Sequence, residues 1–462
     1  MTVASAKPTT QGRLVTGSTL GHVIRMTGAG SIGLVAVFAV DGLNLFYITL
    51  LGQPELTAAL GYATTLLFLA LSMSIGLSIA ATALTSRALG RGQRQQARQI
   101  AGASLIIVGS CMALLALVSY PLLEPAIHLL GARGQTAERA VMLMRIVLPS
   151  WPLLGIGMCL SGLLRATGDA RRAMFVTLGA AATALVMDPL LILGLDLGLH
   201  GVAIATVIVR IAMVAIGMHG LWRVHKLIAR PDMVLVLREL APFMAIALPA
   251  VLTQIATPVG NAYVTHSLAN FGDDAVAGWT IVQRIIPIAF GVLFALSGAI
   301  GPIIGQNFGA RQFDRVISTL RDSLKVTLIY ALTVWALLAL GSGWIADIFN
   351  THGQARELVV FFCVFVAGSF LFNGALFVAN AAFNNLGFAF HSTALNWGRS
   401  TLGVIPFVWL GQSWFGAKGA LAGYGLGVIA FGLFGIWWCF RVVGRMQGNQ
   451  GTTTGHSTNR NP

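Results

Sequence analysis

Two acidic residues stand inside stretches that are otherwise apolar: Asp41 within residues 28–51 and Asp188 within residues 173–195. An ionisable side chain at bilayer depth is costly and is kept where it serves a function. A carboxyl drawn out of water favours its protonated form, and a second carboxyl nearby favours it further. Such a group can load a proton from one side of a membrane and release it to the other. Asp41 and Asp188 are therefore the candidate proton-coupling residues. Asn44 and Tyr47 follow Asp41 at steps of three, which puts all three on one helix face. They are candidates for bonding the protonated acid or lining a cavity. Pro189, directly after Asp188, marks a kink, because proline removes one backbone bond and crowds the preceding turn.

The second half of the chain offers a different set: Arg284, Gln254, Asn261, Asn373 and Asn380 as candidate substrate or gate residues, with Gln283 and Asn396 near them and no mid-span acid. For each of these polar residues the plain alternative is helix–helix hydrogen bonding. Arg210 and Arg399 are expected to snorkel or to pair structurally. No G-x-x-x-x-G-K-[ST] loop, H-E-x-x-H pair or Cys/His ligand cluster occurs, so no catalytic residue, metal or cofactor is expected. Asp273-Asp274 is read as a solvated outer loop. Cys111, Cys159, Cys363 and Cys439 all lie in apolar runs and read as small buried hydrophobes.

The elements that must position these residues are membrane helices. Of 462 residues, 56% are hydrophobic and only 10% charged, with 54 glycines, and the mean hydropathy is +0.80. A soluble protein averages about 25% charged residues. The composition excludes a soluble enzyme, a disordered regulator and a disulfide-stapled domain. A spanning helix needs about 20 mostly apolar residues, and twelve such runs can be marked. They are 28–51, 56–86, 100–120, 141–164, 173–195, 201–222, 240–268, 274–306, 324–348, 358–383, 392–414 and 419–440. The fold class expected is all-α and integral to the membrane.

The net charge of +14 lies mostly in short loops, which argues against nucleic acid as a partner. Alternate loops and ends hold 21 and 5 basic residues, with Arg210, Arg284 and Arg399 left inside spans. The positive-inside rule then puts both termini in the cytoplasm. Residues 1–25 read as a basic N-terminal segment with no cleavable signal, 226–239 as an inter-lobe linker and 446–462 as a disordered tail.

The two halves align almost without gaps. Glu55 matches Asp274, Leu77-Ser78 matches Leu296-Ser297, Gly90 matches Gly309, Gln93 matches Gln312 and Gly168 matches Gly387, each pair 219 apart (309 − 90, for example). With six spans apiece, residues 26–225 and 240–445 form two homologous lobes that run the same way through the membrane. A pseudo-two-fold axis along the membrane normal follows, with the substrate cavity between the lobes. Asp41 aligns with Gly260 and Asp188 near Phe407. The fold thus repeats without the acids, which points to a function for them.

Local marks recur in order: Ala88-Leu89-Gly90-Arg91-Gly92 after the second run and Asn307-Phe308-Gly309-Ala310-Arg311 after the eighth. Gly162-Leu163-Leu164-Arg165-Ala166-Thr167-Gly168-Asp169 follows the fourth. Met187-Asp188-Pro189-Leu190-Leu191-Ile192 closes the fifth, and Gly201-Val202-Ala203-Ile204-Ala205-Thr206 opens the sixth. With these marks the chain resembles the multidrug and toxic compound extrusion family, most closely its DinF-like branch, over residues 15–445. The resemblance implies a secondary active efflux transporter that exports small organic, cationic or amphipathic drug-like compounds by antiport, working as a monomer in the lipid of the inner (plasma) membrane. Asp41, Asp188 and Thr206 fall where proton-coupled members carry their N-lobe polar cluster. Sodium-coupled relatives place acids in the other lobe, so H+ is favoured as the coupling ion, with Na+ as the alternative. Two departures stand out: Ala184 where some members have Asn, and no proline in the first span. A major facilitator transporter and a lipid-linked precursor flippase are the other readings. The first has a longer central loop and the second more spans.

Overall fold

The computed structural model describes residues 12–50, 54–229 and 232–455, with the backbone alone at 41, 44–46, 48–50, 54 and 449–455. Among the described residues, eleven helical stretches are long and apolar enough to cross a membrane. The last, Ala389–Gly448, is two helices joined where Phe415 and Gly416 leave helical geometry, which brings the number to twelve. They are α1 (Thr19–Leu50), α2 (Pro54–Gly90), α3 (Arg94–Leu129), α4 (Gly134–Ala166), α5 (Ala170–Gly194) and α6 (Gly198–Val224). The second set is α7 (Met233–Ala269), α8 (Asp273–Gly309), α9 (Phe313–Leu340), α10 (Gly353–Leu386), α11 (389–414) and α12 (417–448). A seven-residue helix, Ser342–Ile348, lies between α9 and α10.

The internal repeat is visible in the backbone. The starts of α2 and α8, α3 and α9, α4 and α10, and α5 and α11 are each 219 apart (273 − 54, 313 − 94, 353 − 134, 389 − 170). Four pairs of left-handed turn residues keep the same register: Gly92 with Arg311, Gly131 with Asn350, Gly134 with Gly353, and Gly168 with Gly387. Ser86 and Gly305, themselves repeat mates (305 − 86 = 219), touch each other: a side chain at 305 would stand 2.8 Å from the Ser86 Cβ. The pseudo-two-fold axis therefore passes between α2 and α8 at this point.

Packing divides in three. One apolar core fills the first six-helix bundle, around Leu77, Met112, Trp151 and Leu163. A second fills the outer part of the other bundle, around Trp279, Phe290, Phe362 and Val428. A third joins α8, α9, α10 and α12 to Leu14, Val23 and Met26. The first turns of α1 thus lean on the opposite lobe. Val236 and Phe243 of α7 return the arrangement by packing into the first core.

Several helices run past the apolar stretch that marks them in the sequence. α1 begins at Thr19 rather than near residue 28, capped by the Ser18 Oγ, which accepts from the Gly21 amide at 3.2 Å. Residues 233–239, read as linker, are the first turns of α7, with the Asp232 carboxylate accepting from Val234 N. Asp273 and Asp274 are not a loop: they form the first turn of α8, where the helix dipole favours negative charge. Helix also continues to Gly455, into the stretch read as a disordered tail, with Gln447 Nε2 donating to Asp314 Oδ1 at 2.6 Å. Hydropathy marks only what lies in lipid, whereas caps and side-chain ties carry helices beyond it.

Candidate functional site

The walls between the lobes are α1 against α8 and α2 against α7. Gly30 approaches Ala295, Phe38 approaches Gly291, and Gly76 lies against Val251. These contacts run from mid-span to the ends that carry the basic loops, here called the basic face. At that face α2 and α8 cross closely. A side chain at Gly90 would lie 2.0 Å from the Gln306 carbonyl oxygen, and one at Gly309 would lie 2.2 Å from that of Arg87. Only glycine fits both places.

The N-lobe candidates lie on adjoining helices. α1 packs on α5, with Gly33 seated against Thr177, and α5 packs on α6. Asp188 is 2% exposed at the end of α5. Pro189 does interrupt the ordinary ladder, since residues Leu190–Gly194 follow as a π-turn. The side chains of Asp41 and Asn44 lie outside the described residues. Their backbone positions on α1 are eight and eleven residues beyond Gly33, while Asp188 is eleven beyond Thr177. At about 1.5 Å per residue, the Asp41 and Asp188 positions differ in height by about 5 Å. Tyr47 is half-buried and packs against the first core. Thr206 of α6 is half-buried, and its hydroxyl donates to the Val202 carbonyl at 2.8 Å, which leaves its oxygen free to accept.

The C-lobe candidates are spread out. Asn261 Nδ2 approaches Gln283 Oε1 at 3.5 Å, and Gln254 is half-buried on the same helix as Asn261. Asn373 and Asn380 lie two turns apart on α10, both buried, with Oδ1 atoms that meet no hydrogen-bond donor among the described residues. Arg284 is exposed and sits two turns from Gly291 on the same face of α8. It lines a cavity of about 500 Å³ with Asp273, Val276, Thr280 and Phe349. The structure does not bring it to the N-lobe acid Asp188, and it makes no ion pair among the described residues.

Arg210 and Arg399 do not snorkel. They are 6% and 4% exposed, each with neutral acceptors beside it, although Arg399 Nε meets no acceptor among the described residues. Arg210 Nη1 donates to Val147 O at 3.1 Å and Ser150 Oγ at 2.6 Å, and Arg399 Nη2 donates to Thr257 Oγ1 at 2.8 Å. Of the cysteines, Cys159, Cys363 and Cys439 are buried and Cys111 is half-buried.

A polar cluster at the basic face escapes sequence reasoning. Asp169 caps α5 by accepting from Arg172 N at 3.1 Å and takes a second bond from Arg172 Nη1 at 2.5 Å. His225, just past α6, lies 2.8 Å from Asp169 Oδ2. Burial works against the Asp169 carboxylate, but the hydrogen bonds from Arg172 and His225 outweigh it and hold this carboxyl below the usual aspartate range. Asp169 closes the motif after the fourth run, and only its i,i+3 spacing to Arg172 gives a sign of the cap.

The sequence model of the MatE family matches the chain twice, over residues 32–190 and 249–410, one match to each lobe. The chain is 28% identical to a Shewanella oneidensis protein named FAD transporter, over 87% of this chain and 90% of that one. It is 24% identical to the multidrug export protein MepA of Staphylococcus aureus, over 82% and 84%. Its fold matches a crystal structure of a point mutant of the Vibrio cholerae MATE transporter VcmN, with a TM-score of 0.88 and 25% identity over 93% of this chain and 97% of that one. With both lobes matched, the chain belongs to the MatE family of multi-pass membrane transporters.

Proposed function

We propose that this protein is a secondary active multidrug exporter that exchanges cationic or amphipathic organic compounds for H+, by alternating access of its two lobes. Both termini and the basic face are cytoplasmic in this reading, and the membrane is the inner (plasma) membrane. The observation that carries it is the placement of Asp188: a carboxyl 2% exposed in a membrane helix, directly before Pro189 and a π-turn, in one lobe only. Its repeat mate is Phe407 (407 − 188 = 219), so nothing in the shared fold calls for a charge there. Asp41 on the adjoining α1, at a similar height, supplies a second carboxyl, and Thr206 can accept from a protonated acid. If protonating these acids disfavours drug in the cleft, each ligand displaces the other, which is antiport. Adding a binding drug to purified, weakly buffered protein should release protons. Binding without release, in a protein that transports under a sodium gradient alone, contradicts the reading.

A second reading concerns the substrate. Arg284 lines the outer cavity of the C-lobe, and Arg399 is buried in that lobe among neutral acceptors. Fixed positive charge suits an organic compound with phosphate or carboxylate groups, and the Shewanella relative is named for FAD. Export of FAD against a cationic dye, in the same vesicles, separates the two substrate classes.

A further inference from the structure

At the basic face the lobes are tied by two bonds that mirror each other. Gln306 of α8 donates from Nε2 to the carbonyl of Ala166, the last residue of α4, at 2.7 Å. Arg87 of α2 donates from Nε to the carbonyl of Asn385, near the end of α10, at 2.9 Å, and from Nη2 to that of Asn384 at 3.0 Å. Positions 87 and 306 are repeat mates, and so are 166 and 385 (306 − 87 = 385 − 166 = 219). Each lobe therefore reaches across the boundary and caps the C-terminal end of the other lobe's fourth helix.

The acceptors explain why. The last carbonyls of a helix have no partner within it and carry its negative pole. α4 and α10 both run into a left-handed glycine, Gly168 (φ 80°) and Gly387 (φ 96°), which turns the chain away and leaves those carbonyls open to the neighbouring lobe. Gly90 and Gly309 let α2 and α8 approach closely enough for the donors to arrive.

The two clamps differ in chemistry. Arg87 brings a charge and two bonds. Gln306 is neutral, but it also accepts from the amide of Leu14 at 2.9 Å. Asn307 Nδ2 donates to Leu14 O at 3.2 Å, and Arg315 Nη1 donates to Gly17 O at 2.9 Å. Residues 12–17 are thereby laid as a strap over the Gln306 clamp, with Leu14 and Val15 each 2% exposed. The repeat mate of Leu14 is Met233 (233 − 14 = 219), which is exposed at the start of α7, so among the described residues the Arg87 clamp has no matching strap.

We propose that Arg87 and Gln306 are the positioning residues of the gate on the basic face, and that both clamps are released each time the cleft opens there. This rests on the alternating-access reading above. Rocking the lobes apart at this face leaves the bonds within each lobe in place but must break these, because donor and acceptor sit on opposite lobes. The clamps therefore set how much of the protein is closed on this side, and the strapped Gln306 clamp makes the N-terminal segment part of the closure.

The test is a distance measurement on the full-length protein in nanodiscs, with Cys111→Ser and spin labels on Gln95→Cys in one lobe and Arg321→Cys in the other, both exposed at the basic face. Removing a charge-assisted bond should shift the open-to-closed ratio about tenfold or more, and removing a neutral one about threefold to tenfold. Arg87→Ala is expected in the first class, Gln306→Ala in the second, and the double variant beyond either. Arg87→Lys, which keeps the charge but not the fork, should shift less than Arg87→Ala. A role in fold stability alone lowers yield and melting temperature and leaves the distances in the folded, monodisperse fraction unchanged; unchanged distances overturn the proposal. If Arg87→Ala does not fold, Arg87→Lys and Gln306→Met carry the same comparison. Distances are read without transport, so a wild-type protein that exports nothing refutes the proposed function and leaves the clamps to be judged separately.

Discussion

Asp169 shows how a single residue at the basic face is held by chemistry rather than by burial alone. Its carboxylate caps α5 and takes bonds from Arg172 and His225, which lower it below the ordinary aspartate value of 3.8. A carboxyl lowered by folding contributes stability that is present above that ordinary value and is lost as pH falls through the lowered one. Asp169→Asn should therefore lower the melting temperature of the purified protein at pH 7 by a few degrees, consistent with about 2 kcal/mol for bonds to a charged group. The difference from wild type should shrink as the pH falls below 3.8. A difference independent of pH would show that the carboxylate charge does not matter. The buried arginines teach a related lesson. Of the two expectations for Arg210 and Arg399, snorkelling and structural pairing, the second holds: a Ser150 hydroxyl, a Val147 carbonyl and a Thr257 hydroxyl stand within reach inside, and sequence spacing does not reveal such acceptors on other helices.

At the scale of elements, the crossing of α2 and α8 is the tightest joint between the lobes. A methyl group at position 309 would meet the Arg87 carbonyl at 2.2 Å, backbone against side chain, with no flexible end to move aside. Gly309→Ala should therefore destabilise the purified protein by about 1–3 kcal/mol, read as a lower melting temperature. Gly444→Ala is the control, since nothing lies within 4 Å of that site, and it should be neutral or slightly stabilising. Equal melting temperatures for the two variants would mean that the crossing can relax without loss. Here the sequence is highly legible. The 219-residue register names Gly90 and Gly309 as mates, and the same register holds for the starts of α2 and α8 and for four pairs of left-handed turn residues. It is less legible at helix ends. The early start of α1 depends on the Ser18 cap and on Leu14, Val23 and Met26 packing against the opposite lobe, and hydropathy along one chain does not report a neighbour's surface. The gate residues Arg87 and Gln306 stand among the repeat mates, but their acceptors are backbone carbonyls, which no residue type announces.

For the whole molecule, two bundles joined about a pseudo-two-fold axis at Ser86 and Gly305 form a machine whose direction depends on orientation. The 21-to-5 division of basic residues favours the basic face on the cytoplasmic side. A cysteine placed at Asp273 should react with an impermeant label from outside intact cells, and one placed at Arg94 should not; the reverse pattern would invert the account. The cleft candidates then divide by lobe. Asp188, Thr206 and the Asp41 position lie on α1, α5 and α6, while Asn261, Gln283, Asn373, Asn380 and Arg284 belong to the other bundle. That asymmetry on a symmetric frame is the basis of the proposal that coupling belongs to one lobe.

Efflux from proteoliposomes under an imposed pH gradient tests whether the N-lobe acids couple export to protons. Asp41→Asn and Asp188→Asn keep the shape of a protonated carboxyl but cannot release a proton. Drug binding should persist in both variants. Proton-driven efflux should collapse in Asp41→Asn, by about tenfold or more, and weaken in Asp188→Asn, with protein levels matched. Normal proton-driven efflux in Asp41→Asn would contradict the account and leave these acids as packing groups in a transporter coupled by other means.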